Sequence, residues 1–238
     1  MVSVIIPCFN HKYIEDTINS LVYQSYKDIE IIIVHDDPDY EGLIVPNVVN
    51  MIILRNKENL GTAESINVGI RASKGEYILP LDSDDMLTQN SISCRIKMFE
   101  DNPELDVIYG CILKVHDDVS YDLAIKGKWK RHPSEYTVPM YRRRVFQKYG
   151  LFHPPMRGKQ DKEMSYRLGV HKKSPLKTVV KFKKIEEDVY YYRRHHDSQH
   201  KQRGRDIYKE IRVCMEFDKR MKDLELNGIT EQNTELLR

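Results

Sequence analysis

Residues 59–85 read NLGTAESINVGIRASKGEYILPLDSDD. The first part, GTAESINVGIRASKG, has the pattern of a helix, with Thr62 as the predicted N-cap and Gly75 as the stop. The next run, EYILPL, is a continuous apolar strand. It closes on three aspartates within four residues, Asp82, Asp84 and Asp85. Like charges this close repel, and carboxylates beside a core lose hydration. Two readings offset that cost. Solvent and turn geometry can carry the acids, since Asp favours turns and helix caps. Alternatively, a divalent cation, which prefers oxygen ligands, cancels the repulsion.

The flanking sequence repeats this helix-and-strand unit. SVIIPC (3–8), DIEIIIVHDD (28–37), NVVNMIILRN (47–56) and LDVIYGCILKV (105–115) read as further strands. HKYIEDTINSLVYQSY (11–26) is helical, with Ile14, Ile18, Leu21 and Val22 on one face. TQNSISCRIKMFEDNP (88–103) places Ile92, Ile96 and Phe99 on one helical face, with Pro103 after its end. Alternating strands and helices predict an α/β fold with a mainly parallel sheet. In such folds the ligand crevice lies outside the carboxyl ends of the strands. The first strand ends at Pro7 to Asn10, the second at Asp36 and Asp37, the fourth at Asp82 to Asp85. Their convergence on one edge favours the cation.

Beyond residue 116 the pattern weakens. Residues 116–137 are polar and irregular and contain the single tryptophan, Trp129. MYRRRVFQKYG (140–150) predicts a short basic helix stopped by Gly150, and GKQDKEMSYRLGV (158–170) a helix with Met164 and Leu168 at i, i+4. KTVVKFKKIEEDVYYYRRHH (177–196) predicts a hairpin or two strands, and a long amphipathic helix is expected from Gly204. The predicted organisation is an α/β half over 1–115, a less regular half of the same domain over 116–203, and a C-terminal helical extension over 204–238.

Charge is nearly balanced in the 238 residues, with 38 Lys and Arg against 36 Asp and Glu, which argues against nucleic acid as a partner. Cys8, Cys94, Cys111 and Cys214 form no CxxC pair and read as core residues in a reducing compartment. MVSVIIPCFN has no signal-peptide character, and no apolar run approaches the length of a membrane span. The expected location is cytoplasmic, with peripheral membrane contact left open. Lys172, Lys173, Lys181, Lys183 and Lys184 make a basic stretch that is a solvated face or a dock for an anionic leaflet.

Taken in order, these motifs resemble the inverting glycosyltransferases of family 2, which have the GT-A fold. SVIIPCFN is similar to the family's first strand, IEIIIVHDD to its second, and residues 59–85 to its central signature. MYRRRVFQKYGLFHPPMRGKQDKEMSYRLG (140–169) resembles the block with the family's Glu-Asp motif, and YYYRRHHDSQH (190–200) its closing Tyr-Arg-x-His segment. The resemblance implies a Rossmann-like, mixed but mainly parallel sheet flanked by helices. It also implies a Mn²⁺ or Mg²⁺ cofactor and transfer of a sugar from a nucleotide-diphospho-sugar, UDP favoured, to a glycan, lipid-linked or protein acceptor. Homodimerisation is left open.

By the same resemblance, Asp84, Asp82 and His195 are metal or diphosphate contacts. Pro7, Phe9, Asn10, Asp37, Asn59, Asp82 and Ser83 line the nucleotide. In an extended segment Asp82 and Asp84 project together with Ser83 opposite, leaving Asp85 to cap the following helix. Asp161 is the general base, and Gln160, Arg194 and His196 contact acceptor or phosphate. Arg193, beside Arg194, is a phosphate clamp or part of a solvated basic edge. The register between His195 and His196 is open, and a zinc pair of His196 and His200 lacks further ligands. Two positions depart from the family. Gln160 stands where Glu is usual, and Ile66 where many members carry Arg. Two other classes remain: a catalytically decayed nucleotide-sugar-binding module, and another metal-dependent nucleotide enzyme such as a nucleotidyltransferase. The latter usually has a glycine-rich phosphate loop that SVIIPCFNHK lacks.

Overall fold

The computed structural model describes residues 1–9, 12–39, 45, 48–132, 138–154, 160–171, 174 and 176–195, all within one compact unit spanning Met1–Lys201. The helix expected from Gly204, the 204–238 extension and Cys214 lie outside the described residues.

The first half is a parallel sheet. Strands β1 (Val2–Cys8), β2 (Ile29–His35), β3 (Met51–Arg55) and β4 (Tyr77–Pro80) lie side by side in the order β3-β2-β1-β4. Val2 is opposite Ile29 on one side and Tyr77 on the other. Helices α1 (Ile14–Val22) and α2 (Thr62–Ala72) cross between strands on opposite faces. Because both faces are covered, β1 is buried at every position, which is why its sequence is a continuous apolar run. On α1, Ile14, Ile18 and Leu21 are buried, but Val22 turns out to be 40% exposed.

The second half is mixed. It comprises β5 (Met86–Leu87), α3 (Ser91–Asp101), β6 (Val107–His116), α4 (Tyr121–Ala124), β7 (Lys130–Arg131), β8 (Met140–Arg142), α5 (Arg144–Tyr149), α6 (Gln160–Arg167) and β9 (Phe182–Arg194). The sheet continues β4-β8-β6-β9-β5, with β7 on β6. Strand β8 is antiparallel to β4 and β6, whereas β9 runs parallel to β6. Helices α1 and α3 pack Ile18, Ile92, Ile96 and Phe99 on one face; α2, α5 and α6 pack Ile70, Val145, Phe146, Met164 and Leu168 on the other.

Four expectations are corrected. Residues 182–194 form one strand, not a hairpin. Its pairing with β6 shifts register around Cys111, so the alternation breaks without the chain turning back. The basic helix begins at Arg144, because Met140–Arg142 is drawn into the sheet between β4 and β6. The irregular stretch after 116 contains α4 and β7. Thr62 is the first residue of α2 rather than its cap; Gly61 holds the cap position at φ +80°, a conformation glycine adopts without cost.

Gly75 does more than stop a helix, since α2 already ends at Ala72. Its N–H donates to Ser3 Oγ at 2.8 Å and Glu30 Oε1 at 2.9 Å, pinning the entry to β4 against β1 and β2. A Cβ here would lie 2.7 Å from the Ser3 nitrogen and 3.0 Å from the Met1 carbonyl oxygen, as well as against Ser3 Oγ. Gly75→Ala is expected to destabilise the fold by about 1–3 kcal/mol, as overpacking against backbone does. Urea unfolding checks this, as a lowered midpoint at unchanged m-value.

Candidate active site

The carboxyl ends of β1, β2 and β4 meet at one edge. The Asp36 N–H donates to the Cys8 carbonyl at 2.9 Å, and the Leu81 N–H to the Ile5 carbonyl at 2.9 Å. Pro7 is buried, paired with Val34 in the sheet, while Phe9, just past the strand, is 55% exposed. Asn10 lies outside the described residues.

The two acids after β2 divide their work. Asp36 is 3% exposed, and its carboxylate accepts from the Leu60 N–H at 2.8 Å, the Gly61 N–H at 2.8 Å and Asn56 Nδ2 at 2.7 Å. It anchors the loop entering α2. Asn59 donates to the Asp36 carbonyl at 3.3 Å. Asp37 is half-buried and its Oδ1 accepts only a long bond, at 3.3 Å, from the Asp39 N–H among the described contacts.

The residues after β4 are a turn, not the extended segment expected: the Asp85 N–H reaches the Asp82 carbonyl at 3.2 Å. The turn brings carboxylate oxygens of Asp82, Asp84 and Asp85 within 4.8 Å of one another. Asp85 caps no helix. It is 2% exposed, and its Oδ1 accepts the Arg193 N–H at 2.7 Å. Burial first, then the charges of Asp84 and Asp82, push its carboxyl well up from the usual range. Asp82 sits amid dense protein yet opens on one side to the cleft. Desolvation, then the charges of Asp84 and Asp161, push its carboxyl up to about 7, although the residue has an exposed face. Thr17 Oγ1 of α1 lies 2.9 Å from the Ser83 carbonyl and 2.8 Å from the Asp85 carbonyl, supporting the turn from below. The Ser83 side chain bonds to the Cys8 thiol, which burial raises to about 11.

His195 Nε2 lies 2.8 Å from Asp84 Oδ2, and its ring sits 5.2 Å from that of Tyr13. His196 and His200 lie outside the described residues. Arg194 is exposed, but Arg193 is neither a phosphate clamp nor a solvated edge: it is 1% exposed and bound to protein on every side. Ile66 is likewise buried, in the core with Ile5 and Ile32.

Across the cleft, α6 presents Gln160 and Asp161, both half-buried. Asp161 is near enough for its charge to act on Asp82. Gln160 Oε1 is shielded from solvent and has no hydrogen-bond partner among the described residues. Helix α6 is held by Glu163, which is fully buried, takes Arg167 Nε at 2.7 Å and lies 3.3 Å from His153 Nδ1. Asn67 of α2 exchanges two hydrogen bonds with the Phe152 backbone at 2.8 and 3.0 Å. Sequence reasoning missed Thr17, Asp36, Asn67, Glu163 and the part played by Arg193. Of these, only Glu163 carried a local signal, its i, i+4 pairing with Arg167. A recess of about 330 Å³ between α1 and α4 has Tyr13 and Asp16 in its lining, and another of about 460 Å³ lies beside α5.

Comparison with known proteins now identifies the class. The description of glycosyl transferase family 2 matches residues 3–160, more than half of the chain, and the chain belongs to that family. An uncharacterized glycosyltransferase of Haemophilus influenzae is 37% identical over 112 residues, covering 46% of this chain and 38% of its own length. Glycosyltransferase GlyG of Streptococcus pneumoniae is 27% identical over 220 residues, covering 82% of this chain and 71% of its own. The chain thus spans less than half of the first relative, and 43% of a Rickettsia typhi one. Among solved structures, S. aureus TarS 1-349 in complex with UDP-GlcNAc superposes with a TM-score of 0.67 at 17% identity, over 88% of this chain and 64% of that one. The mannosyltransferase PcManGT of Pyrobaculum calidifontis, in complex with GDP-Man and Mn²⁺, gives 0.58 at 14% identity, over 84% and 58%. These likenesses establish the GT-A fold. Among the described residues no helix is long and apolar enough to cross a membrane.

Asp36→Ala removes the acceptor of two backbone N–H groups and is expected to cost about 2 kcal/mol of stability, the range for stranded donors. Denaturant unfolding reads the cost directly.

Proposed function

We propose that this chain transfers a sugar from a nucleotide-diphospho-sugar to an acceptor hydroxyl by metal-dependent single displacement with inversion. The observation that supports it is the nearness of Asp161 to the acidic turn, close enough for its charge to act on Asp82. In this reading residues 1–115 hold the donor and 116–203 complete the acceptor side.

The residues fit a hard divalent cation. Three carboxylates offer oxygens within 4.8 Å of one another, with His195 against Asp84. A bound Mn²⁺ or Mg²⁺ supplies Lewis-acid neutralisation of the charge that builds on the leaving diphosphate. Asp84 and Asp82 hold that end, while Asp37 and Asn59, with Pro7, Phe9, Asn10 and Ser83, line the nucleoside. Asp161 accepts the proton of the acceptor hydroxyl as its oxygen bonds to the anomeric carbon and the bond from that carbon to diphosphate breaks. Gln160, Arg194 and His196 border the acceptor. Asp36 is consumed by the loop before α2, leaving Asp37 for a base N–H, and UDP is favoured because Asp37 stands where the family's uracil-contacting aspartate does. The complexes of TarS with UDP-GlcNAc and of PcManGT with GDP-Man and Mn²⁺ support the donor class and make GDP the alternative to test. The acceptor class is a glycan, a lipid-linked saccharide or a protein.

Calorimetric titration of UDP, GDP and dTDP, each with Mn²⁺ and with chelator, tests the reading. Tight binding of one nucleotide only with Mn²⁺ is expected. Binding of none moves the assignment to a decayed module. Asp84→Ala is expected to abolish the metal dependence. Asp161→Asn is expected to lower kcat by at least about 100-fold, within the general-base range, while sparing UDP affinity. Full turnover by that variant removes Asp161 from the role.

The raised Asp82 carboxyl sets a pH dependence. Below about 7 the group holds a proton that the cation must displace; above it the ligand is already charged. Mn²⁺ affinity is therefore expected to rise about tenfold from pH 6 to pH 8 and then level off. A flat affinity across that range contradicts the assignment of Asp82 as a ligand.

A further inference from the structure

Arg193 stands two residues before His195 and is 1% exposed. Its Nε donates to the Asp84 carbonyl at 2.9 Å, its Nη1 to the carbonyls of Asp117 at 2.9 Å and Val119 at 2.7 Å, and its Nη2 to Asp16 Oδ2 at 2.9 Å. The Tyr13 ring covers the guanidinium at 4.5 Å, and the same ring packs on His195. The main chain of Arg193 donates to Asp85 Oδ1 at 2.7 Å. One residue thus grips the acidic turn by side chain and main chain, and ties it to α1, to the turn after β6 and to the strand that carries His195.

A buried guanidinium costs several kcal/mol in desolvation unless its donors are filled. Here they are filled by three carbonyls and by the Asp16 carboxylate, so the guanidinium is both ion-paired and held by backbone. The guanidinium holds the Asp84 carbonyl and the Arg193 amide holds the Asp85 carboxyl, in a turn whose three acids lie within 4.8 Å of one another. We propose that Arg193 is the positioning residue of the acidic site: it fixes Asp84 and His195 relative to each other and keeps the carboxylates gathered before any cation arrives. Lysine keeps the charge but cannot span four acceptors with a planar fork. The proposal rests on the metal-dependent reading above and touches no reacting atom.

The test compares wild type, Arg193→Lys and Asp16→Asn, the last removing the only carboxylate paired with the guanidinium among the described side-chain contacts. Mn²⁺ binding is read from the electron paramagnetic resonance signal of the free ion with UDP present, UDP binding is read in chelator, and melting is read without metal. In folded Arg193→Lys, Mn²⁺ affinity is expected to fall about tenfold or more, as loss of a ligand's supporting contact does, with UDP affinity in chelator within about twofold of wild type. Asp16→Asn is expected to shift Mn²⁺ affinity in the same direction. A merely structural arginine gives the opposite split: lower melting temperature, unchanged Mn²⁺ affinity of the folded protein. That result overturns the proposal and leaves the glycosyltransferase reading standing. If Arg193→Lys does not fold, Asp16→Asn decides, and wild-type Mn²⁺ affinity in it overturns the proposal. A wild-type protein that binds UDP equally with and without Mn²⁺ removes the metal reading and the role of Arg193 together.

Discussion

Strand β4 must end in a knot of like charges without being pushed apart by them. At the short separations of Asp82, Asp84 and Asp85, Coulomb repulsion in a low-dielectric pocket outweighs the preference of Asp for turns. The fold answers from several directions. Thr17 of α1 holds two carbonyls of the turn from below, and the closing strand β9 brings one buried cation and one amide to the turn. A short strand, β5, then pairs antiparallel to β9 and locks the exit. The parallel half delivers the acids, and the mixed half holds them in place. This explains why the parallel half is followed by a mixed half that extends the same sheet and returns β9 to the turn after β4.

The parallel half was legible because both its faces are covered. Full burial forces continuous apolar strands and leaves polar residues only at their ends, so the cleft edge can be read as a list of strand termini. The mixed half was much less so. β5, β7 and β8 are two or three residues long, too short for any period, and β8 forms only because β4 and β6 offer it both neighbours. In β9 the alternation is broken by a register shift at Cys111, where Gly110 makes room for the Val189 side chain. A broken alternation looks like a turn in one dimension and is a bulge in three.

The site divides the same way. The candidate acids at strand ends, Asp82 and Asp84 at one and Asp37 at another, could be named from position, and Asp161 only from the resemblance. Residues that hold those in place could not, because their partners are distant in sequence. Asp36 and Asp37 are adjacent and chemically identical, yet one is consumed by N–H groups 24 and 25 positions away and the other stays on the cleft. Arg193 and Arg194 repeat the case, one fully enclosed and one in solvent. In each pair the alternation of the backbone assigns the roles, and a shift of one residue would exchange them.

The two departures from the family pattern carry different weight for the same reason. Ile66 fills the core against Ile5 and Ile32, so its side chain is committed to packing. Gln160 is different. Its Oε1 is shielded from water and unmet by any described donor, on the helix that carries Asp161. A buried acceptor left in that state costs about 1–3 kcal/mol, and a carboxylate at the same position would cost more. The amide therefore lowers the cost of keeping an open acceptor beside Asp161.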